Sequence, residues 1–119
     1  MRRRTRAREF ALQVLYQIDL TRDKHPQAID SFWQAHIQEE VAAEVKVFTE
    51  ELVGGVAGNL EAIDAMISKY ATNWQLKRMA VVDRNILRMS CYELLFRQDI
   101  PPKVSINEAV ELAKKYSGL

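Results

Sequence analysis

The residues best suited to chemistry are five arginines among the first eight positions, namely Arg2, Arg3, Arg4, Arg6 and Arg8. An arginine side chain binds phosphate oxygens through two parallel hydrogen bonds, and neutralising the phosphates of a nucleic acid releases condensed counterions. The first acidic residue is Glu9, so all 16 acidic but only 12 of the 17 basic side chains follow position 8. This asymmetry predicts that the N-terminal segment binds a polyanion, and we expect a nucleic acid.

Two other interpretations of this arginine-rich segment stay open at this stage. It could be a solvated terminus that only aids solubility, or it could bind a membrane surface, although no aromatic or leucine anchors accompany the arginines. The tract alone does not distinguish RNA from DNA. Recognition of single-stranded RNA also needs planar groups for stacking, for which Tyr16 and Tyr70 are candidates, although each also fits a half-buried core tyrosine.

The remaining reactive side chains do not form a catalytic or metal-binding pattern. His25 and His36 are eleven residues apart without a zinc-binding motif, and Cys91 lies on an apolar helical face where a thiol is usually inert. The adjacent carboxylates Glu39-Glu40 and Glu50-Glu51 diverge on a helix and do not share an acid–base task. We therefore expect no catalytic residue, metal or cofactor, and a protein that is not an enzyme.

Helical periodicity dominates the elements that must position the arginines. In the first segment, apolar residues recur at helical spacing at Ala11, Val14, Leu15 and Ile18. This predicts a helix that starts near Thr5, with Arg6 and Arg8 in its first turn. Residues 2–4 would then be a loose arm, and we define residues 1–8 as the arginine-rich arm.

The middle of the sequence predicts two further helices. Pro26 is placed to open a short second helix, in which Ile29, Phe32 and Trp33 form the buried stripe. A long third helix is predicted over about 39–69. Its three glycines either kink it or let a neighbouring helix approach closely, and they are Gly54, Gly55 and Gly58.

Three more helical segments complete the prediction. A short one covers 74–79, and a fifth helix opens near Asp83 and ends at Pro101-Pro102. Its inward side chains would be Ile86, Leu87, Cys91, Leu94 and Leu95. The run Ser105-Ile106-Asn107-Glu108 predicts a capping box at the start of a sixth helix. The apolar stripe of that helix would be Ile106, Ala109, Val110 and Ala113.

Length and composition limit the class of protein. A chain of 119 residues suffices for one domain, 1–119, with its own core. The single cysteine excludes an internal disulfide, and no apolar run approaches the ~18 residues of a membrane span. We expect a cytoplasmic protein without membrane association.

Three segments resemble the NusB family of bacterial transcription antitermination factors. They are Ala7-Arg8-Glu9 with Ala11-Leu12-Gln13-Val14-Leu15-Tyr16, then Asp83-Arg84-Asn85-Ile86-Leu87-Arg88 with Tyr92-Glu93-Leu94, and the specific motif that runs from Ile100-Pro101-Pro102-Lys103 through Ser105-Ile106-Asn107-Glu108 to Lys114. The resemblance spans nearly the whole chain. It implies an all-α, compact helical domain of two packed helical halves.

The resemblance also implies partners and site residues. Family members bind boxA RNA together with NusE, a small-subunit ribosomal protein, and act within the RNA polymerase antitermination complex, notably on ribosomal-RNA operons. The five arginines of the arm would bind RNA, with Tyr70, Lys103 and Lys114 as further candidates. Tyr16 and Asp83 match positions expected near the NusE-binding face.

Two alternatives accompany this resemblance. The chain could be a NusB-like protein-interaction module, or the RNA-binding domain of a ribosomal-RNA methyltransferase, in either case without antitermination activity. The family's last helix, with its Phe-Val-Asn-Gly stretch, is absent from this sequence. We expect its absence to expose apolar side chains of the fifth and sixth helices. The oligomeric state that we expect is either a monomer or a homodimer.

Overall fold

The computed structural model describes residues 2–71 and 75–117, and helices are the only regular secondary structure in these residues, which contain no strand. The helices are α1 Arg3–Thr21, α2 His25–Ala35, α3 Ala43–Gly58, α4 Leu60–Tyr70, a short 3₁₀ helix Leu76–Arg78, α5 Val81–Phe96 and α6 Pro102–Tyr116. The predicted all-α class is confirmed. The chain divides into two compact units, Met1–Ala57 and Gly58–Leu119. Trp74, where the predicted short segment begins, lies outside the described residues.

Helix α1 begins earlier than the sequence predicted. Arg3 and Arg4 lie inside the helix, so the prediction of a loose arm is wrong for these two residues, and Arg2 occupies the N-cap position. Helical backbone is possible here because side chains of α3 compensate the repulsion between the arginines: Glu44 pairs with Arg3, and the ring of Phe48 lies under Arg4. The arm is therefore largely an ordered helical turn.

The core of the first unit joins α1, α2 and α3. Ala7, Ala11 and Val14 of α1 are buried, as are Leu52 and Val53 of α3. The rings of an aromatic cluster meet edge to face, with Phe10 of α1 at centroid distances of 5.3 Å from Phe32 and 5.7 Å from Trp33 of α2. Pro26 lies in the first turn of α2 as predicted, and Ile29 and Phe32 of the predicted stripe are buried, whereas Trp33 is only partly buried. Burial of these faces fixes α1, and with it the arginines.

The predicted long third helix is in fact two helices. Helix α3 ends at Gly58, and α4 begins at Leu60 after the turn residue Asn59. Close packing does not explain the glycines at two positions. A methyl group at Gly54 would lie 4.0 Å from Nε2 of His25, and one at Gly58 would meet no atom within 4 Å. Gly58 therefore marks a helix end, whereas Gly54 lies inside α3 without a close helix crossing.

In the second unit, an ion pair joins α4 to α5. Nε and Nη2 of Arg88 donate to the two carboxylate oxygens of Asp64 at 2.9 and 3.0 Å. Asn85, one turn earlier, accepts from Nη1 of Arg88 at 3.3 Å and donates to the carbonyl of Val81 at 2.9 Å. This two-point geometry fixes the rotation of α5 against α4.

The capping box predicted at Ser105 is wrong. Helix α6 begins at Pro102, which needs no amide hydrogen in the first turn, and Ser105 lies buried inside the helix. Its hydroxyl donates to Oε1 of Glu93 on α5 at 2.7 Å. This bond turns Ser105 towards α5, and Leu112 is buried on the same helix, whereas Ile106 and Val110 are 50% and 46% exposed.

The inward faces predicted for α5 and α6 are therefore only partly right. Ile86 is buried as predicted, but Leu94 and Leu95 of α5 are exposed. The polar residues Asn85, Arg88 and Glu93 occupy buried positions of α5 instead, since each has hydrogen-bonding partners. None of the described helices combines the length and apolarity that crossing a membrane requires.

Candidate nucleic-acid interface

Helix α1 concentrates positive charge at its first turn. Arg3, Arg4 and Arg6 fall in or next to that turn, which contains no acidic residue. Unpaired backbone amides already give a helix N-terminus about half a positive charge, so the arginines add to a field that attracts anions. All three side chains reach solvent to some degree. The arrangement suits a phosphate-bearing ligand.

Two of these arginines have carboxylate partners in the same unit. Arg3 forms an ion pair with Glu44 of α3, and their side chains are 65% and 62% exposed. Nη2 of Arg6 lies 4.0 Å from Oε2 of Glu39, with exposures of 42% and 48%. Ion pairs this exposed are weak, typically below ~1 kcal/mol, so a polyanion can replace the carboxylates.

Phe48 of α3 organises two further arginines. The guanidinium carbon of Arg4 lies 4.4 Å from the ring centroid of Phe48, and that of Arg8 lies 5.4 Å from it. Arg4 is exposed, whereas Arg8 is 2% exposed. The Phe48 ring therefore holds the guanidinium group of Arg4 in place while its charge faces solvent. Arg8 is buried and does not contact a ligand directly in this conformation.

An open cavity of about 270 Å³ lies beside these side chains. Its lining residues are Arg3, Arg4, Glu44, Val47, Phe48 and Glu51. Guanidinium groups, carboxylates and an aliphatic side chain thus surround one depression. The cavity mixes both signs of charge, which distinguishes it from a purely cationic phosphate site.

Tyr16 and Asp83, the predicted partner-binding residues, lie in different units. Tyr16 is on α1 and is 41% exposed, two turns after Arg8 and beyond the cationic first turn. Asp83 lies in the first turn of α5, where a carboxylate is favourable for the helix dipole, and is partly exposed. Both side chains are accessible to a protein partner.

The three further RNA candidates all lie in the second unit. Tyr70 ends α4 and is 73% exposed, which excludes a core role, and Nζ of Lys69 lies 5.4 Å from its ring centroid. Lys103 and Lys114 are exposed on α6, eleven residues apart, and so share one helix face at a separation of about 16 Å. Nζ of Lys114 lies 3.6 Å from Oε1 of Glu111. A ring for stacking and two cations are thus available on this unit.

Side chains of the described residues offer little for catalysis. Within them, no group of three or more His, Cys, Asp or Glu side chains is arranged to hold a metal ion. Burial raises the pKa of the Cys91 thiol, and the negative charge of Asp64 raises it further. The reactive thiolate is therefore disfavoured at neutral pH, in line with the predicted inert role of Cys91.

Sequence reasoning missed the residues that organise the arginines. None of Glu39, Glu44 and Phe48 had a predicted role at the arginines. Spacing along the chain identifies neighbours on one helix, but these contacts join segments separated by more than thirty residues. The excess of acidic residues after position 8 was the only available signal.

Comparison with known proteins gives one consistent family. The model of the NusB family matches residues 5–119. The chain is 54% identical over 114 residues to the transcription antitermination protein NusB of Anaeromyxobacter dehalogenans (strain 2CP-1). The aligned residues cover 96% of this chain and 78% of that protein.

Solved structures agree with the sequence comparison. NusB of T. maritima matches with a TM-score of 0.84 and 37% identity, over 98% of this chain and 79% of that one. A crystal structure of the antitermination factors NusB and NusE in complex with dsRNA contains a chain that matches with a TM-score of 0.84 and 28% identity, over 98% of this chain and 84% of that one.

Proposed function

The chain belongs to the NusB family, and on that premise we propose that it is an RNA-binding transcription antitermination factor. It binds boxA-type RNA together with NusE and acts on RNA polymerase, notably during ribosomal-RNA transcription. A related chain has been crystallised with NusE and dsRNA, which supports this assignment. The role is one of binding rather than catalysis, needs no cofactor, and is exercised in the cytoplasm.

The cationic first turn of α1 is the observation that carries the RNA-binding part of the proposal. Arg2, Arg3, Arg4 and Arg6 contact the phosphates, while Arg8 supports them from the buried side of the helix. Phosphate contacts supply affinity and orientation but no sequence information. Selectivity for boxA must therefore come from base contacts, for which Tyr70, Lys103 and Lys114 are candidates.

NusE adds to the affinity and selectivity that the chain's own contacts supply. The chain alone binds RNA weakly and with little preference, and NusE, held near Tyr16 and Asp83, strengthens that binding. Coupling between two ligands is reciprocal, so RNA must tighten NusE binding by the same factor. The affinity for RNA should therefore be measured with and without NusE, and the affinity for NusE with and without RNA. The two ratios must be equal.

A protein-interaction module is the second candidate, and one observation favours it: Arg3 and Arg6 already have carboxylate partners within the chain. In that case the arginines would not bind RNA. The two functions differ in the effect of an R2A/R3A/R4A/R6A variant. We expect loss of RNA binding and a shallower dependence of affinity on salt, whereas an interaction module predicts neither.

A matched control separates the position of these charges from their number. Four exposed basic residues outside the first turn are removed instead, by the substitutions R22G, K24A, K77A and R78A. Glycine suits position 22 because Arg22 has a φ of 64°. We expect the control to retain most RNA affinity. Equal losses in the two variants would mean that only net charge matters.

A further inference from the structure

Two exposed carboxylates lie where RNA phosphates would have to bind. Glu44 pairs with Arg3, and Glu39 approaches Arg6 to 4.0 Å, in each case through the guanidinium group that the proposed function assigns to RNA. A carboxylate and a phosphate both accept the same two-point hydrogen bonds from arginine. Glu44 therefore occupies donors of Arg3 that an incoming phosphate needs, and Glu39 places a competing negative charge beside Arg6.

We infer that Glu39 and Glu44 are intramolecular competitors of RNA and set the affinity of the arginine-rich first turn. This inference rests on the proposed function, since it assumes that Arg3 and Arg6 bind phosphate. In the free chain each arginine is paired with its carboxylate. On binding, the phosphate replaces the carboxylate, which returns to water, so the affinity for RNA is lowered by the strength of the broken pair.

The exposure of these pairs sets the size of the effect. The four side chains are between 42% and 65% exposed. Each pair is therefore weak enough for RNA to displace, and its loss should change affinity by about twofold. Because the competition concerns phosphates alone, it lowers the affinity for every RNA sequence by the same factor. Occupation by unrelated RNA thus falls, and binding depends more strongly on the additional affinity that NusE supplies.

The decisive experiment compares two double variants that remove equal charge. E39Q/E44Q removes the competing carboxylates but keeps the shape of the side chains. E40Q/E50Q removes two exposed carboxylates from the same region, neither of which forms an ion pair with a described residue. Fluorescence anisotropy of a labelled boxA RNA and a scrambled RNA gives the affinity of each variant across a salt series.

We expect E39Q/E44Q to bind both RNAs about fourfold more tightly than E40Q/E50Q does, with the same factor for the two sequences. The advantage should shrink as salt rises, because the competing pairs of the native chain weaken too. Equal affinities of the two variants at low salt would overturn the inference. If the native chain binds RNA through its arginines nonetheless, the proposed function survives.

A double-mutant cycle tests whether Glu44 acts through Arg3. E44Q should tighten RNA binding in the native background but have no further effect in an R3A background, apart from the change in net charge that E40Q measures. An equal gain in both backgrounds would overturn the pairing as the cause. A native chain that binds neither RNA would overturn the proposed function, and with it this inference.

Discussion

The guanidinium group of Arg4 lies over the ring of Phe48, with 4.4 Å between Cζ and the ring centroid. Phe48 is buried in α3 and Arg4 is exposed at the first turn of α1. A cation held over an aromatic face loses less conformational freedom when a phosphate binds it. The relation between these two residues thus connects the core of the first unit to its cationic surface.

Arg8 should matter for stability more than for RNA contact. It is 2% exposed and 5.4 Å from the centroid of the same ring. We expect R8A to lower the free energy of unfolding by about 1–3 kcal/mol, because it removes a buried side chain together with its contact to the Phe48 ring. Urea denaturation gives the stability, and anisotropy gives the RNA affinity of the folded fraction. A variant of native stability that no longer binds RNA would contradict this division of roles.

The pair between Arg88 and Asp64 should be a major element of the second unit. Their side chains are 11% and 29% exposed, and Asp64 accepts two hydrogen bonds. We expect D64A to lower stability by about 2–4 kcal/mol, because it strands a largely buried guanidinium group. The exposed pair of Lys114 with Glu111, whose side chains are 69% and 68% exposed, serves as control, since E111A should cost less than about 1 kcal/mol. Thermal unfolding measures the stability of both variants. Equal losses of stability would contradict the prediction.

Substitutions at Ser105 distinguish a buried hydrogen bond from a helix cap. Aspartate is a good N-cap residue and would be tolerated at a capping position. Here Ser105 donates to Glu93 at 2.7 Å, and both residues are buried, so S105D would place a second carboxylate beside the first. We expect S105D to lower stability by about 3 kcal/mol or more and S105A by about 1–3 kcal/mol. If S105D had the same denaturation midpoint as the native chain, the interpretation of Ser105 as a helix cap would be restored.

Alanine at Gly54 should stabilise the chain. The residue lies inside α3, and an added methyl group would have ordinary contact, 4.0 Å, with Nε2 of His25. Helix propensity then favours alanine over glycine by about 0.5–1 kcal/mol. Urea denaturation of G54A should show a higher midpoint. A lower midpoint would indicate that another element packs closely at this position.

Helical spacing predicted much of the fold because it reports which residues of one helix share a face. Pro26 marked the start of α2, and Ile29 and Phe32 are buried as their spacing indicates. Spacing does not report partners on other helices. Ser105 therefore looked like a cap, although its partner is Glu93 on α5. The same limit concealed the start of α1, where contacts with α3 offset the repulsion between arginines.

The candidate site was only partly accessible from sequence for the same reason. Five arginines in eight positions predicted a polyanion-binding segment, and this needs no knowledge of the fold. The sequence did not show that Arg8 is buried or that carboxylates hold Arg3 and Arg6. Those properties depend on where α3 packs. RNA binding by the five arginines stays a prediction, as do the roles of Tyr16, Asp83, Tyr70, Lys103 and Lys114.

One measurement tests the central claim most directly: binding of labelled boxA RNA and a scrambled RNA to the native chain and to R2A/R3A/R4A/R6A, with and without NusE, across a salt series. We predict weak binding that falls steeply with salt, a preference for boxA that NusE strengthens, and loss of both in the variant. Equal and feeble binding of the two RNAs, unchanged by NusE and by the four substitutions, would contradict the account.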